Sequence, residues 1–273
     1  MDALPKFSIT LGVEENIRTR FVTWLNAYTR TFKGIDDDLD FAVNLKIVHT
    51  EKVREIIIAL AIDLGLDHRL CRLAESCALF HDVGRFPQIK TYRTFSDRNS
   101  ANHALLGCKV LQEQRVLEPL DTENSEVIFR SVKLHNLPAL PEDEDEAVLF
   151  FTRLLRDADK IDILRVVSEH YTNNNGSGKG SIVLDLPESD SVSEDIINAV
   201  RKKEKIRYEM LKTVNDFKLL QLSWVYDFNF SNSLEMLSSL GHCEAIMETL
   251  PKAGCINEIK AELTSYLRER VTA

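Results

Sequence analysis

The stretch CALFHDVGRF, residues 77–86, ends an apolar helical run with His81 and Asp82 side by side, followed by Gly84 and Arg85. Burying an ionisable pair costs roughly several kcal/mol unless an opposite charge or a metal ion compensates it. Partners for the pair can be sought by asking which face of each helical run carries its histidine. His49 shares a stripe with Val53, Ile57, Leu60 and Leu64, and His81 with Leu70, Ala74 and Cys77. His103 opens a run whose apolar side continues through Leu106, Gly107, Val110 and Leu111; His135 shares a face with Ile128 and Val132. On the next run Leu155, Asp159, Ile163 and Val166 align, which turns a carboxylate inward. A lone histidine on an apolar face is ordinarily a satisfied core residue. Four histidines and an inward aspartate on five successive runs are expected to meet.

Neutral imidazoles and carboxylates without thiolates suit Fe, Mn, Co or Zn and do not choose among them. Six candidate ligands (His49, His81, Asp82, His103, His135 and Asp159) exceed what one ion with open positions requires. They suit two divalent transition ions bridged by a shared carboxylate, for which Asp82 is the natural residue. Two cations would also offset its burial and lower its pKa.

The elements that must position these residues are helical. Ten glycines, seven prolines, few alternating patterns and apolar repeats at three and four predict an all-α protein. Phe21, Leu25, Tyr28 and Phe32 mark an N-terminal amphipathic helix closing near Gly34. From Asn44 to about Tyr171 five further runs are separated by LGLDH, by the long connection PQIKTYRTFSDRNS, by LEPLDTENS and by LPALPEDEDE. The expected organisation is an N-terminal helical segment over residues 1–43, a ligand-bearing helical domain over 44–171, a polar loop over 172–190 and a C-terminal helical extension over 191–273. In the extension, LQLSWVYDFNFSNSLEML is apolar enough to pack over the ligand-bearing domain or to form a homodimer interface, with plain core packing as the simpler reading.

A net charge of −9 argues against a nucleic-acid polymer as partner, and RKKEK at 201–205 reads as the solvated face of a helix. No apolar run approaches the ~18 residues of a spanning helix, and the N-terminus lacks the basic and apolar regions of a signal peptide, so a cytoplasmic location without membrane partners is expected. Five cysteines form no CxxC pair and are assigned no chemistry. His68 is expected to be exposed, His242 has no partner in sequence, and His170 lies too far along its helix from Asp159 to join the site.

The order His49, His81-Asp82, His103, His135, Asp159 resembles the H…HD…H…H…D signature of the HD-domain metal-dependent phosphohydrolase superfamily. VHTEKV, LFHDVGRF, NHALLG, VKLHN and RDADKIDILR are each similar to that family's segments. The resemblance covers roughly residues 44–171 and implies a compact HD-domain helical bundle. It assigns one metal to His49, His81, Asp82 and Asp159, and a second to His103 and His135 with Asp82 shared. Asn136 follows His135 where the cyclic dinucleotide branch has a second histidine, the GYP motif of that branch is missing, and Asn102 stands where relatives often carry aspartate. Cyclic dinucleotides are therefore not assigned.

By this reading the protein is an enzyme, hydrolysing a phosphate ester of a nucleotide or other small phosphorylated metabolite with metal-activated hydroxide at a dinuclear site. Asp82, Arg85 and Lys160 are the candidate catalytic residues, Arg85 and Lys160 reaching the phosphate. Lys90, Tyr92, Arg93 and Asp97, in a connection longer than packing requires, are candidates to face the substrate. Asp157 and Asp162 are expected beside the ligands or in solvent. Two alternatives stay open, a di-iron oxygenase on the same scaffold and a ligand-sensing HD module.

Overall fold

The computed structural model describes residues 4–172 and 186–272. Among these the secondary structure is helical, with no strand. No described helix is long and apolar enough to cross a membrane. The chain divides into two compact units, residues 1–162 and 163–273.

The first unit contains α1 (Glu15–Arg30), α2 (Asp37–Asp63), α3 (His68–Phe80), α4 (Arg85–Tyr92), α5 (His103–Glu113), α6 (Thr122–Leu134) and most of α7 (Glu146–Thr172). Its centre is α3, on which Cys71 and every residue from Leu73 to Phe80 are buried, so this helix is enclosed on all sides and not on one stripe. It packs against α1, α2 and α6, while α5 packs on α6 and α4 on both α2 and α5. Side-chain caps fix where several helices start. Asp36, Asp67, Asn102 and Asp121 accept backbone N–H groups in the first turns of α2, α3, α5 and α6.

Two expectations about boundaries are corrected. The division expected between residues 43 and 44 falls inside α2, because Asp36 caps that helix well upstream. The long connection 87–100 is half helix: α4 runs from Arg85 to Tyr92, with Pro87 in its first turn, where a missing N–H costs nothing. Arg93 ends it in the left-handed region at φ 56°, and a short 3-10 turn, Asp97–Asn99, precedes α5.

The second unit contains the end of α7, then α8 (Glu194–Arg201), α9 (Val214–Ser223), α10 (Ser231–Leu240), α11 (His242–Glu248) and α12 (Gly254–Thr272). Here α9 packs on α8 and α11, and α12 on α8 and α10. Leu220, Leu222, Val225, Leu234 and Leu237, from the segment read as core or dimer interface, are buried. Of the expected polar loop 172–190, residues 173–185 lie outside the described residues.

Candidate metal centre

All six sequence-predicted ligands lie in the first unit and come together in two groups, His49, His81 and Asp159, and Asp82, His103 and His135, either of which could hold a metal ion. His49 projects from the middle of α2 and Asp159 from α7. His81 and His135 stand at the C-caps of α3 and α6, and His103 is the first residue of α5. All four histidines and Asp82 are buried.

Asp82 faces both groups. Its Oδ2 lies 3.6 Å from His49 Nε2 and 3.5 Å from His81 Nε2, while Oδ1 lies 3.5 Å from His103 Nε2. Asp159 Oδ1 is 3.1 Å from His49 Nε2 and 3.8 Å from His81 Nε2.

The outward nitrogens explain why the inward ones converge. His81 Nδ1 donates to Ala78 O and His135 Nδ1 to Val132 O, each at 2.7 Å. A carbonyl only accepts, so the proton sits on Nδ1, and the neutral ring presents an Nε2 lone pair to the site. His49 Nδ1 meets Asp162 Oδ2 at 2.6 Å, and His103 Nδ1 meets Asp97 Oδ2 at 2.7 Å. The inward nitrogens then crowd in pairs, His49 Nε2 to His81 Nε2 at 3.3 Å and His103 Nε2 to His135 Nε2 at 3.0 Å. Lone pairs pointed at each other repel unless a proton or a cation lies between them. This donor set, with no thiolate among it, fits divalent transition ions.

Protonation follows the same logic. Burial pushes His81, His103 and His135 below the ordinary histidine value, His135 to about 3 with the His103 and His81 charges adding to the effect. Burial and Lys46 would lower His49 too, but its hydrogen bonds to Asp159 and Asp162 hold it above that value. Asp82 is held well below the carboxylate range against its burial, chiefly by Lys46, then by His81 and Arg85. Asp159 is lowered against its burial by His49 and His81.

Lys46 is the functional candidate that sequence reading missed. Its Nζ donates to Asp82 Oδ2 at 2.7 Å and lies 5.5 Å from the Phe95 ring centre. Arg85 flanks the other oxygen, with Nε 3.4 Å from Asp82 Oδ1, and among the described residues that buried nitrogen has no hydrogen-bond partner. Its Nη1 donates to Asp97 Oδ1 at 2.9 Å, Gln88 Oε1 at 2.9 Å and Phe95 O at 2.6 Å. Burial pushes the Asp97 carboxyl up, but the His103 hydrogen bond and charge, with Arg85, outweigh it and bring it to about 2. Asp97 thus belongs to the support of His103. Asn136 Nδ2 donates to Asp97 Oδ2 at 3.2 Å and to Asn102 Oδ1 at 3.1 Å, so the two asparagines that depart from the family pattern contact each other.

Lys160 is half-buried beside Asp159 on α7, and Asp157 is fully buried there. Asp162 supports His49, as expected of a group beside the ligands. Lys90 and Arg93, expected to face the substrate, make contacts away from the six ligands. Exposed Lys90 lies over the Phe32 ring at 5.5 Å, and Arg93 Nη1 bonds Asp36 at 2.8 Å. Asp36 caps α2 thirteen residues before His49, about 20 Å away along a helix rising ~1.5 Å per residue. Tyr92 is exposed at the end of α4. His68 is exposed, and in the second unit His242 Nδ1 lies 3.4 Å from Ser168 Oγ. The cysteines are all free thiols.

A family model described as HD domain matches residues 47–170, the segment that carries all six ligands. No curated protein and no solved structure matches the chain.

Proposed function

Because residues 47–170 of the chain are an HD domain, the fold of a superfamily of metal-dependent hydrolases, we propose that it is a phosphohydrolase with a dinuclear centre, acting on a phosphate ester of a nucleotide or another small phosphorylated metabolite. The observation that carries the reading is the pairing of inward histidine nitrogens on either side of Asp82, at 3.3 and 3.0 Å, with two cationic side chains against the same carboxylate.

His49, His81 and Asp159 would hold one ion, His103 and His135 the other, with Asp82 shared between them. Divalent cations there would supply charge neutralisation and, by lowering the pKa of water, a nucleophile at neutral pH. The protein's own part is to hold the phosphoryl group. Lys46 and Arg85 lie against Asp82 and can donate hydrogen bonds to phosphoryl oxygens but cannot ligate a cation while charged. Lys160, next to Asp159, is a third candidate. Asp97 and Asp162 keep His103 and His49 oriented. Lys90 and Arg93 have no part in this assignment.

A di-iron oxygenase would use the same six ligands. Lys46 and Arg85 beside the shared carboxylate favour an anionic substrate over that alternative. The test is phosphate release from a panel of nucleotides, sugar phosphates and cyclic nucleotides by protein reconstituted with Mn, Fe, Co or Zn. Turnover of one phosphate ester class is expected. Oxygen consumption without phosphate release from any ester would overturn the reading.

A further inference from the structure

The four ligand histidines are oriented in two different ways, and the difference follows from where each sits on its helix. The last carbonyls of a helix lack intrahelical partners. His81 and His135, at C-caps, therefore use the carbonyls three residues back, Ala78 O and Val132 O. His49 is in mid-helix, where the preceding carbonyls are already engaged, and His103 is the first residue of α5 with no helical turn behind it. Both need an acceptor from elsewhere in the fold. For His49 it is Asp162, fully buried on the rigid helix α7. For His103 it is Asp97, whose side chain is 31% exposed and which lies outside any α-helix, on the strap that joins α4 to α5.

We propose that Asp97 is the positioning residue of the second half-site, so that the ion between His103 and His135 depends on the strap of residues 93–102, while the ion at His49, His81 and Asp159 is held by helices alone. This rests on the reading of the cluster as a metal centre. The strap is stapled from α4. Gln88, fully buried, donates through Nε2 to Asp97 Oδ1 at 2.8 Å, Ser100 Oγ at 2.9 Å and Ala101 O at 2.8 Å, and Arg85 donates to Phe95 O and Asp97. Asp97 therefore fixes the Nδ1–H tautomer of His103 and joins that ligand to Arg85. Any movement of the strap that withdraws Asp97 loosens one ligand of the second ion and leaves the first group untouched.

The test compares Asp97→Ala and Asp97→Asn with the wild-type chain. In metal-free protein the ¹⁵N shifts of His103 report its tautomer directly, which a merely structural role would leave unchanged. Asp97→Ala is expected to turn His103 into a tautomer mixture and to weaken binding of one Mn²⁺ by about 10- to 100-fold, with the other retained. Asp97→Asn keeps a carbonyl oxygen of the same size in place, so it should retain the tautomer and lose less affinity. It also serves if the alanine variant does not fold, since wild-type affinity for both ions in the asparagine variant would then count against the proposal. Two ions bound by Asp97→Ala with wild-type affinity, and His103 unchanged, would overturn it. A wild-type chain that takes up no metal would instead defeat the hydrolase reading. The metal-free tautomer would still decide whether Asp97 positions His103.

Discussion

Lys46 Nζ stands 2.7 Å from Asp82 Oδ2, closer to that carboxylate than any histidine of the cluster. Lys46 precedes His49 by three residues, so both project from the same side of α2. Its side chain is only 16% exposed and Asp82 is its ion-pair partner, which places an ammonium beside the candidate metal centre. Lys46→Ala is expected to lower kcat/KM by about 30- to 1000-fold, the loss of one preorganised donor, without reducing metal content. Lys46→Arg should recover part of it. Activity of the alanine variant within about threefold of wild type would make Lys46 a counter-charge only.

Arg85 has two duties, and its removal should show both. Nε faces Asp82, while Nη1 ties the strap through Phe95 O and Asp97. Arg85→Ala should therefore lower Tm as well as kcat/KM, whereas Lys160→Ala should lower kcat/KM with a smaller effect on Tm. Thermal unfolding and steady-state kinetics on the same preparations check this; an unchanged Tm for Arg85→Ala would remove the strap-holding role.

Gly84 is required for close approach and not for backbone freedom. A Cβ there would lie 2.1 Å from His103 O and 2.4 Å from Gly107 N, both backbone atoms of α5 that cannot rotate aside. Gly84→Ala must push α5 away and take His103 with it. A loss of about 3 kcal/mol in urea unfolding is expected, with weakened binding of the second ion. Wild-type stability would show that α5 accommodates the methyl group.

The helix-face reading reached the ligands because they obey the same periodicity as the core, so His49, His81, His103, His135 and Asp159 were legible together. What it could not reach depends on contacts between elements. Lys46 has no signature, since a lysine at the edge of a helix ordinarily reads as surface charge. Asp97 is picked out by the sequence as a substrate-facing residue, but its bond to His103 is not legible in a segment that looks like a loop, and α4 is masked because Pro87 reads as a breaker unless its place in the first turn is known. The Gly84 contact with α5 follows no pattern in either helix. Lys90 and Arg93 lie near the ligands in sequence, but Lys90 stands over the Phe32 ring and Arg93 pairs with Asp36, contacts that sequence does not show.

Away from the metal centre, Glu75 offers a pH test of the packing around α3. It is buried and accepts from Arg18 and Arg54, at 3.0 and 2.5 Å. Burial pushes its carboxyl up, but these two hydrogen bonds prevail and hold it below the ordinary value of 4.5. A depressed carboxylate contributes stability above the unfolded pKa and loses it as pH falls through the folded pKa. Glu75→Gln should thus cost about 3 kcal/mol at pH 7, and the difference from wild type should shrink as pH falls below about 4.5. A difference that stays constant down to pH 3 would show that the charge of Glu75 plays no part.

In the proposed centre Asp82 serves two ions at once, and metal content per chain after removal of loosely bound ions tests this most directly. About two divalent ions are expected for the wild type, one for His103→Ala and none for Asp82→Ala, because Asp82 faces both histidine pairs. Retention of two ions by folded Asp82→Ala would contradict the account.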